Sequence, residues 1–90
     1  MQESRLFEIE FSKKKYKIRA FSYRAAFQYE TDFNKSVAEI KTLKDNVEWV
    51  YCLLDSLNEE FNYSIKDFVR ELDDNPQLLV DIQKIVSEKK

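Results

Sequence analysis

The chain has 90 residues, 43% hydrophobic and 36% charged, with a net charge of −2, the balance of one globular domain with a modest core. It contains no histidine, no glycine and a single cysteine; this excludes the usual general base, the common zinc ligand sets, an internal disulfide and the glycine loops that cradle phosphates. Mild acidity gives no footprint for nucleic acid, and no run approaches the roughly 20 apolar residues of a membrane helix.

The opening MQESRLFEIE sets apolar residues alternately with acids, which is not the form of a secretory signal, so a cytoplasmic location is expected. Residues 6–11 then alternate, with Phe7, Ile9 and Phe11 on one face and Glu8 and Glu10 on the other. Residues 16–20 repeat the pattern, with Tyr16, Ile18 and Ala20 against Lys17 and Arg19. Period two with one apolar face predicts a β-hairpin over about 6–21. Folding about Lys13-Lys14 pairs Phe11 with Tyr16, Ile9 with Ile18 and Phe7 with Ala20. The same register sets Glu10 opposite Lys17 and Glu8 opposite Arg19, so apolar meets apolar and acid meets base. The turn SKKK lacks an Asn-Gly signal, which predicts a four-residue loop.

Ser22 is placed to cap a helix over about 22–33, on which Tyr23, Ala26, Phe27 and Glu30 fall at helical spacing; Asn34 suits the left-handed position that closes it. Ser36-Val-Ala-Glu39 has capping-box spacing and predicts a short helix or turn over about 36–41. The main helix is expected over about 43–61, with Leu43, Val47, Val50, Leu54, Leu57 and Phe61 as its stripe. Ser64 caps a third helix over about 65–73, presenting Ile65, Phe68, Val69 and Leu72. Asn75 and Pro76 start a last one over about 76–87, presenting Leu79, Ile82, Ile85 and Val86. The terminal SEKK reads as a solvated tail. The fold class is therefore α+β: an N-terminal hairpin packed on three to five helices in one domain spanning 1–90. A two-stranded hairpin does not stand alone, so its apolar face must lie on the helices.

WVYCLL, residues 49–54, is apolar all round. The Val50–Leu54 stripe serves the core; Trp49 and Leu53 flank it on one side and Tyr51 on the other. Either two other elements sandwich this helix, or Trp49 and Leu53 face a partner. With Tyr23, these make Trp49, Leu53, Tyr51 and Tyr23 the candidate partner-binding residues. Cys52 projects opposite the stripe among Asp45, Glu48, Asp55 and Glu59. Acidic neighbours raise a thiol's pKa, so Cys52 reads as a packing contact and not a nucleophile. Glu8, Glu10, Lys17 and Arg19 form a polar face, either solvated or docking an acidic or basic partner. The hairpin's two edges are open to strand addition by a partner or to pairing between copies. Lys13-Lys14-Lys15 reads as a hairpin tip. The helix pair around Pro76 is too acidic for a DNA-reading helix-turn-helix. Asp73-Asp74-Asn75 lacks the spacing, glycine and glutamate of a calcium loop. No catalytic residue, cofactor site or metal site is assigned.

Taken together, the strand, the polar turn and "YKIRAF", the helix carrying "AAFQYETDFNKS", the long apolar helix and the capped "YSIKDFVRELDDNPQLLVDIQKIVSE" resemble the small tail assembly chaperones of long-tailed bacteriophages and prophages. The resemblance spans about 7–87 and is one of residue types and lengths. Glu30 stands at the family's acidic position closing the first helix. Lys14 or Lys15 and Asn34 stand where members typically carry glycine. What the resemblance implies is an assembly role without catalysis. Such chaperones bind the tape-measure protein, help recruit tail tube subunits in the bacterial host cell and are absent from the finished particle. The alternative is a small cytoplasmic regulatory or scaffold module, antitoxin-like or otherwise partner-binding and unrelated to tails. A second copy of the chain is a candidate partner in either case.

Overall fold

In the computed structural model, which describes residues 6–87, an antiparallel hairpin of β1 (Phe7–Phe11) and β2 (Lys14–Ile18) precedes four helices. These are α1 (Tyr23–Phe33), α2 (Leu43–Leu57), α3 (Ile65–Asp74) and α4 (Pro76–Ser87), with one 3-10 turn at Val37–Glu39 between α1 and α2. The architecture is α+β, as the alternation of periods predicts. The N-terminal MQESR and the last three residues, where the secretory-signal and solvated-tail readings fall, lie outside the described residues.

The hairpin differs from expectation in its register. Phe7 pairs with Ile18, Glu8 with Lys17, Ile9 with Tyr16, Glu10 with Lys15 and Phe11 with Lys14. This is a two-residue slip from the predicted pairing. It leaves Phe7, Ile9 and Phe11 on the same face as Tyr16 and Ile18, and still opposes acid to base, because side chains repeat every second residue. The predicted four-residue loop is replaced by the two-residue connection Ser12-Lys13. Both residues have positive φ, 54° and 69°, the requirement of a type I′ turn, whose twist matches that of paired strands. The pairing ends at Ile18, short of the expected Phe21.

The helix starts follow local chemistry. Ser22 Oγ accepts from Ala25 N–H and Asn34 closes α1 at φ 58°, ψ 39°. Thr42 and Asp45 cap α2 reciprocally, and Ser64 and Asp67 do the same for α3. Asn75 N–H donates to Glu71 C=O to end α3, while its own carbonyl accepts from Leu78 N–H as α4 begins at Pro76.

The main helix stops four residues earlier than its stripe predicts. Asn58 caps it, and the Asn58 side chain turns to β2. Its Oδ1 accepts from Lys17 N–H and its Nδ2 donates to Lys17 C=O, both at 2.8 Å. The same amide also reaches Leu54 C=O at 2.9 Å. One side chain thus completes the helix end and supplies the rung that a third strand would offer β2. Phe61, beyond the helix, is still buried.

One buried cluster draws on both strands and all four α-helices: Ile9, Tyr16, Tyr29, Val50, Leu54, Phe68 and Ile82 are among its members. Around Phe11 the rings of Tyr16, Phe61, Tyr63 and Phe68 lie at centroid distances of 5.0–6.1 Å. This aromatic contact fastens the hairpin to the α2–α3 connection. The helical stripes hold in part. Val50, Leu54, Phe68, Leu72 and Ile82 are buried, with Leu78 added on α4, whereas Leu43 and Val69 are exposed.

Two outcomes follow from the turn and the clasp. Replacing Ser12-Lys13 by Asn-Gly should raise stability by about 1–2 kcal/mol, since both positions then occupy positive φ with less strain; chemical denaturation measures it, and no gain would place the strain elsewhere. Asn58→Ala should cost about 1–3 kcal/mol and speed hydrogen exchange at the Lys17 amide selectively, because a paired strand edge loses its partner.

Candidate functional site

The stretch FSYRAAFQYETDF, residues 21–33, places two alanines and one ring on the buried side of α1 and two rings on the other. Ala25, Ala26 and Tyr29 are buried toward α2, and the two alanines allow a close helix approach. Tyr23 and Phe27, one turn apart, point away from the core, 64% and 66% exposed, beside Phe21 at 38%. The three rings touch in series. Phe21 meets Tyr23 at 5.1 Å and 89°, and Tyr23 meets Phe27 at 6.5 Å. Phe21 also lies 5.9 Å from Trp49, which packs edge-on against Tyr29 at 5.9 Å. An exposed aromatic ledge therefore stands on a buried aromatic footing.

Of the four sequence candidates, Tyr23 is on this ledge. Trp49 and Leu53 are not available on this chain's surface: they are 4% and 0% exposed, so the partner-facing reading of these two is corrected to the sandwiched one. The reason is that α2 is covered on more than one side, by α1, by β2 and by α3. Tyr51 is half-buried; its hydroxyl donates to Tyr63 C=O at 2.5 Å, its ring packs on Phe61 and Phe68, and burial pushes the phenol up. Trp49 supports the ledge from beneath, and Tyr51 belongs to the hairpin contact on the far side of α2. Phe21 and Phe27 are the ledge residues that sequence reasoning did not single out. The i, i+4 spacing of Tyr23 and Phe27 opposite Ala25-Ala26 carried the signal.

Cys52 is fully buried and not on a surface opposite the stripe. Burial first, and then Asp32, Asp55 and Glu48, push its thiol up to about 12. At neutral pH it is a protonated packing group. Among the described residues no group of histidine, cysteine, aspartate or glutamate side chains is placed to hold a metal ion. No helix among them is long and apolar enough to cross a membrane.

The α1–α2 connection is held by charge. Lys35 Nζ donates to Asp45 Oδ1 and, at 3.1 Å, to Glu48 Oε1. Asp45 Oδ2 also accepts from the Lys41 and Thr42 amides at 3.1 and 3.2 Å. Lys35 Nζ stands 5.8 Å from the centre of the Tyr29 ring. Both carboxylates are buried. The Lys35 ammonium, and then the two amides, hold Asp45 well below the usual carboxylate range, and the two carboxylates hold Lys35 above its ordinary value. This clip fixes the corner that carries the connection, about one helix length from the ledge.

No family model matches the chain, and neither does any curated protein or solved structure.

The clip has a defined pH signature. A depressed Asp45 contributes stability that is present above its ordinary value of 3.8 and is lost as pH falls toward the folded value. Raised Lys35 contributes stability below 10.5 and loses it only as pH rises through its folded value. Lys35→Met should therefore lower Tm at neutral pH, and the gap to the parent should narrow from about pH 5 to about pH 2, where Asp45 takes up a proton in the unfolded chain but not in its folded pair with Lys35. Thermal melts across that range test it; a gap constant with pH would assign Lys35 a packing role only.

Proposed function

We propose that this chain is a non-catalytic protein-interaction domain that docks its partner on the ledge of Phe21, Tyr23 and Phe27. One observation carries the reading: three exposed aromatic rings, touching in series, stand on a buried base in a domain whose other large aromatics are mostly inside. Contiguous exposed aromatics mark interaction sites, and rings immobilised before contact lose little entropy on binding. Tyr23 and Phe27 lie one helical turn apart, so the ledge suits an apolar stripe on a partner helix.

The resemblance to phage tail assembly chaperones gives this partner a specific form. A tape-measure protein is a long helical client that exposes apolar stripes before assembly, and a small acidic domain could cover them reversibly while keeping the complex in solution. We therefore infer that the client is a tape-measure or tail tube protein.

Co-expression with the products of neighbouring genes, followed by pull-down, tests both levels. Tyr23→Ala with Phe27→Ala should weaken client capture by about 2 kcal/mol or more, as interface anchors do, while stability changes by only about 0.5 kcal/mol per exposed site. Equal losses of capture and stability would make the ledge a structural element. Capture of a tape-measure or tube protein supports the chaperone reading; capture of a toxin or an enzyme instead replaces it with the regulatory-module alternative.

A further inference from the structure

The two edges of the hairpin are treated differently. In an antiparallel pair the residues of every second rung turn their N–H and C=O groups outward. Those of Lys17 point away from β1, and Asn58 takes both of them. In the observed register the residues opposite Lys17 and Lys15 are Glu8 and Glu10, so these direct their backbone groups out of the other edge. Among the described residues, no hydrogen bond outside the strand pair reaches Glu8 or Glu10. Among the described residues, the helix side thus fills the Lys17 rung of the β2 edge and no rung of the β1 edge.

The open edge borders a groove of about 790 Å³ between β1 and the α3–α4 corner. Ile9, Leu78 and Ile85 supply its apolar lining, and Ile9 and Leu78 are otherwise buried. Glu8, Glu10, Glu71 and Asp81 border it, with Lys13 at the turn. Glu8 and Glu10 are exposed and close no ion pair with the lysines across the hairpin; the ion pairs among the described residues lie elsewhere.

We propose that the outer edge of β1 receives an extended, basic segment of a partner protein as a third strand, with alternate apolar side chains in the groove and its lysines or arginines on the opposite face beside Glu8 and Glu10. Backbone pairing to an open edge provides the docking geometry, and pockets for alternate side chains provide the selectivity. The charges decide the occupant. A second copy adding its own β1 antiparallel would bring Glu8 and Glu10 against the same two residues, a like-charge arrangement that disfavours pairing. A basic strand meets the opposite sign at each of those positions, so the same carboxylates repel the copy and attract the partner. This site is separate from the aromatic ledge and stands or falls without it.

The test uses the full chain and an acetylated, amidated hexapeptide of alternating valine and lysine, with alternating valine and glutamate as the control. The basic peptide should bind, and at saturation it should slow hydrogen exchange at the Glu8 and Glu10 amides by about tenfold or more. The acidic peptide should not bind. Glu8→Gln with Glu10→Gln, two exposed changes that leave the core alone, should weaken the basic peptide about tenfold and flatten its salt dependence. Three results would overturn the proposal: no binding at millimolar peptide; binding that leaves those two amides as fast as before; or Glu8 and Glu10 amides already protected without peptide, whether by the chain itself or in a dimer seen by sedimentation.

Discussion

A two-stranded ribbon cannot hold itself together in water, and the rest of this domain is arranged around that constraint. The apolar face of the hairpin needs a second surface. It finds one in the rings that gather at the α2–α3 connection, where Phe11 and Tyr16 meet Phe61 and Phe68. Asn58 adds a polar fastening beside the apolar one, bonding Lys17 through both of its amide groups. The short α2 is a consequence. Had the helix continued to Phe61, Asn58 would sit in a helical turn, unable to serve the strand, and Phe61 would lie on the stripe instead of folding back beneath Phe11.

The absence of glycine makes side-chain chemistry do the work of turns. Ser12, Lys13 and Asn34 occupy positive φ without it, each at a tight change of direction. Serine and threonine caps begin α1, α2 and α3, and reciprocal acids complete the last two. Where α1 gives way to α2, Lys35 gathers the two buried carboxylates Asp45 and Glu48 and so removes the penalty each would carry alone. This clip ties the end of α1 to the start of α2. The ledge of Phe21, Tyr23 and Phe27 is held between this corner and the hairpin, over Trp49.

What remains on the surface is informative because so much of the aromatic content is internal. Phe11, Tyr16, Tyr29, Trp49, Phe61 and Phe68 are buried. The rings left outside are concentrated at the start of α1, and among the described residues Glu8 and Glu10 turn backbone groups out of the β1 edge. These two features lie on different elements and differ in chemistry. The ledge is apolar and suits a helix; the strand edge is polar, bordered by acids and suits an extended chain. A small domain with one modest core can in this way offer two kinds of contact without giving up the residues that fold it.

The sequence by itself determined the elements and their ends where the chemistry is local. Ser22 and Ser64 marked helix starts and Asn34 a helix stop, because a cap is satisfied within one turn of the chain. Period two in residues 6–18 determined which hairpin face is apolar. It did not determine the register, since a slip of two preserves both the apolar face and the opposition of acid to base; turn twist at Ser12-Lys13 and the grip of Asn58 on Lys17 made that choice. Likewise the apolar run Trp49–Leu54 announced a helix covered on more than one side or a helix facing a partner, and only the placement of α1 and β2 around it decided that Trp49 and Leu53 are interior while Phe21, Tyr23 and Phe27 are left outside. Caps and periodicity are properties of neighbouring residues, whereas exposure and register depend on segments about 30–40 positions apart, brought together only when the whole chain has folded.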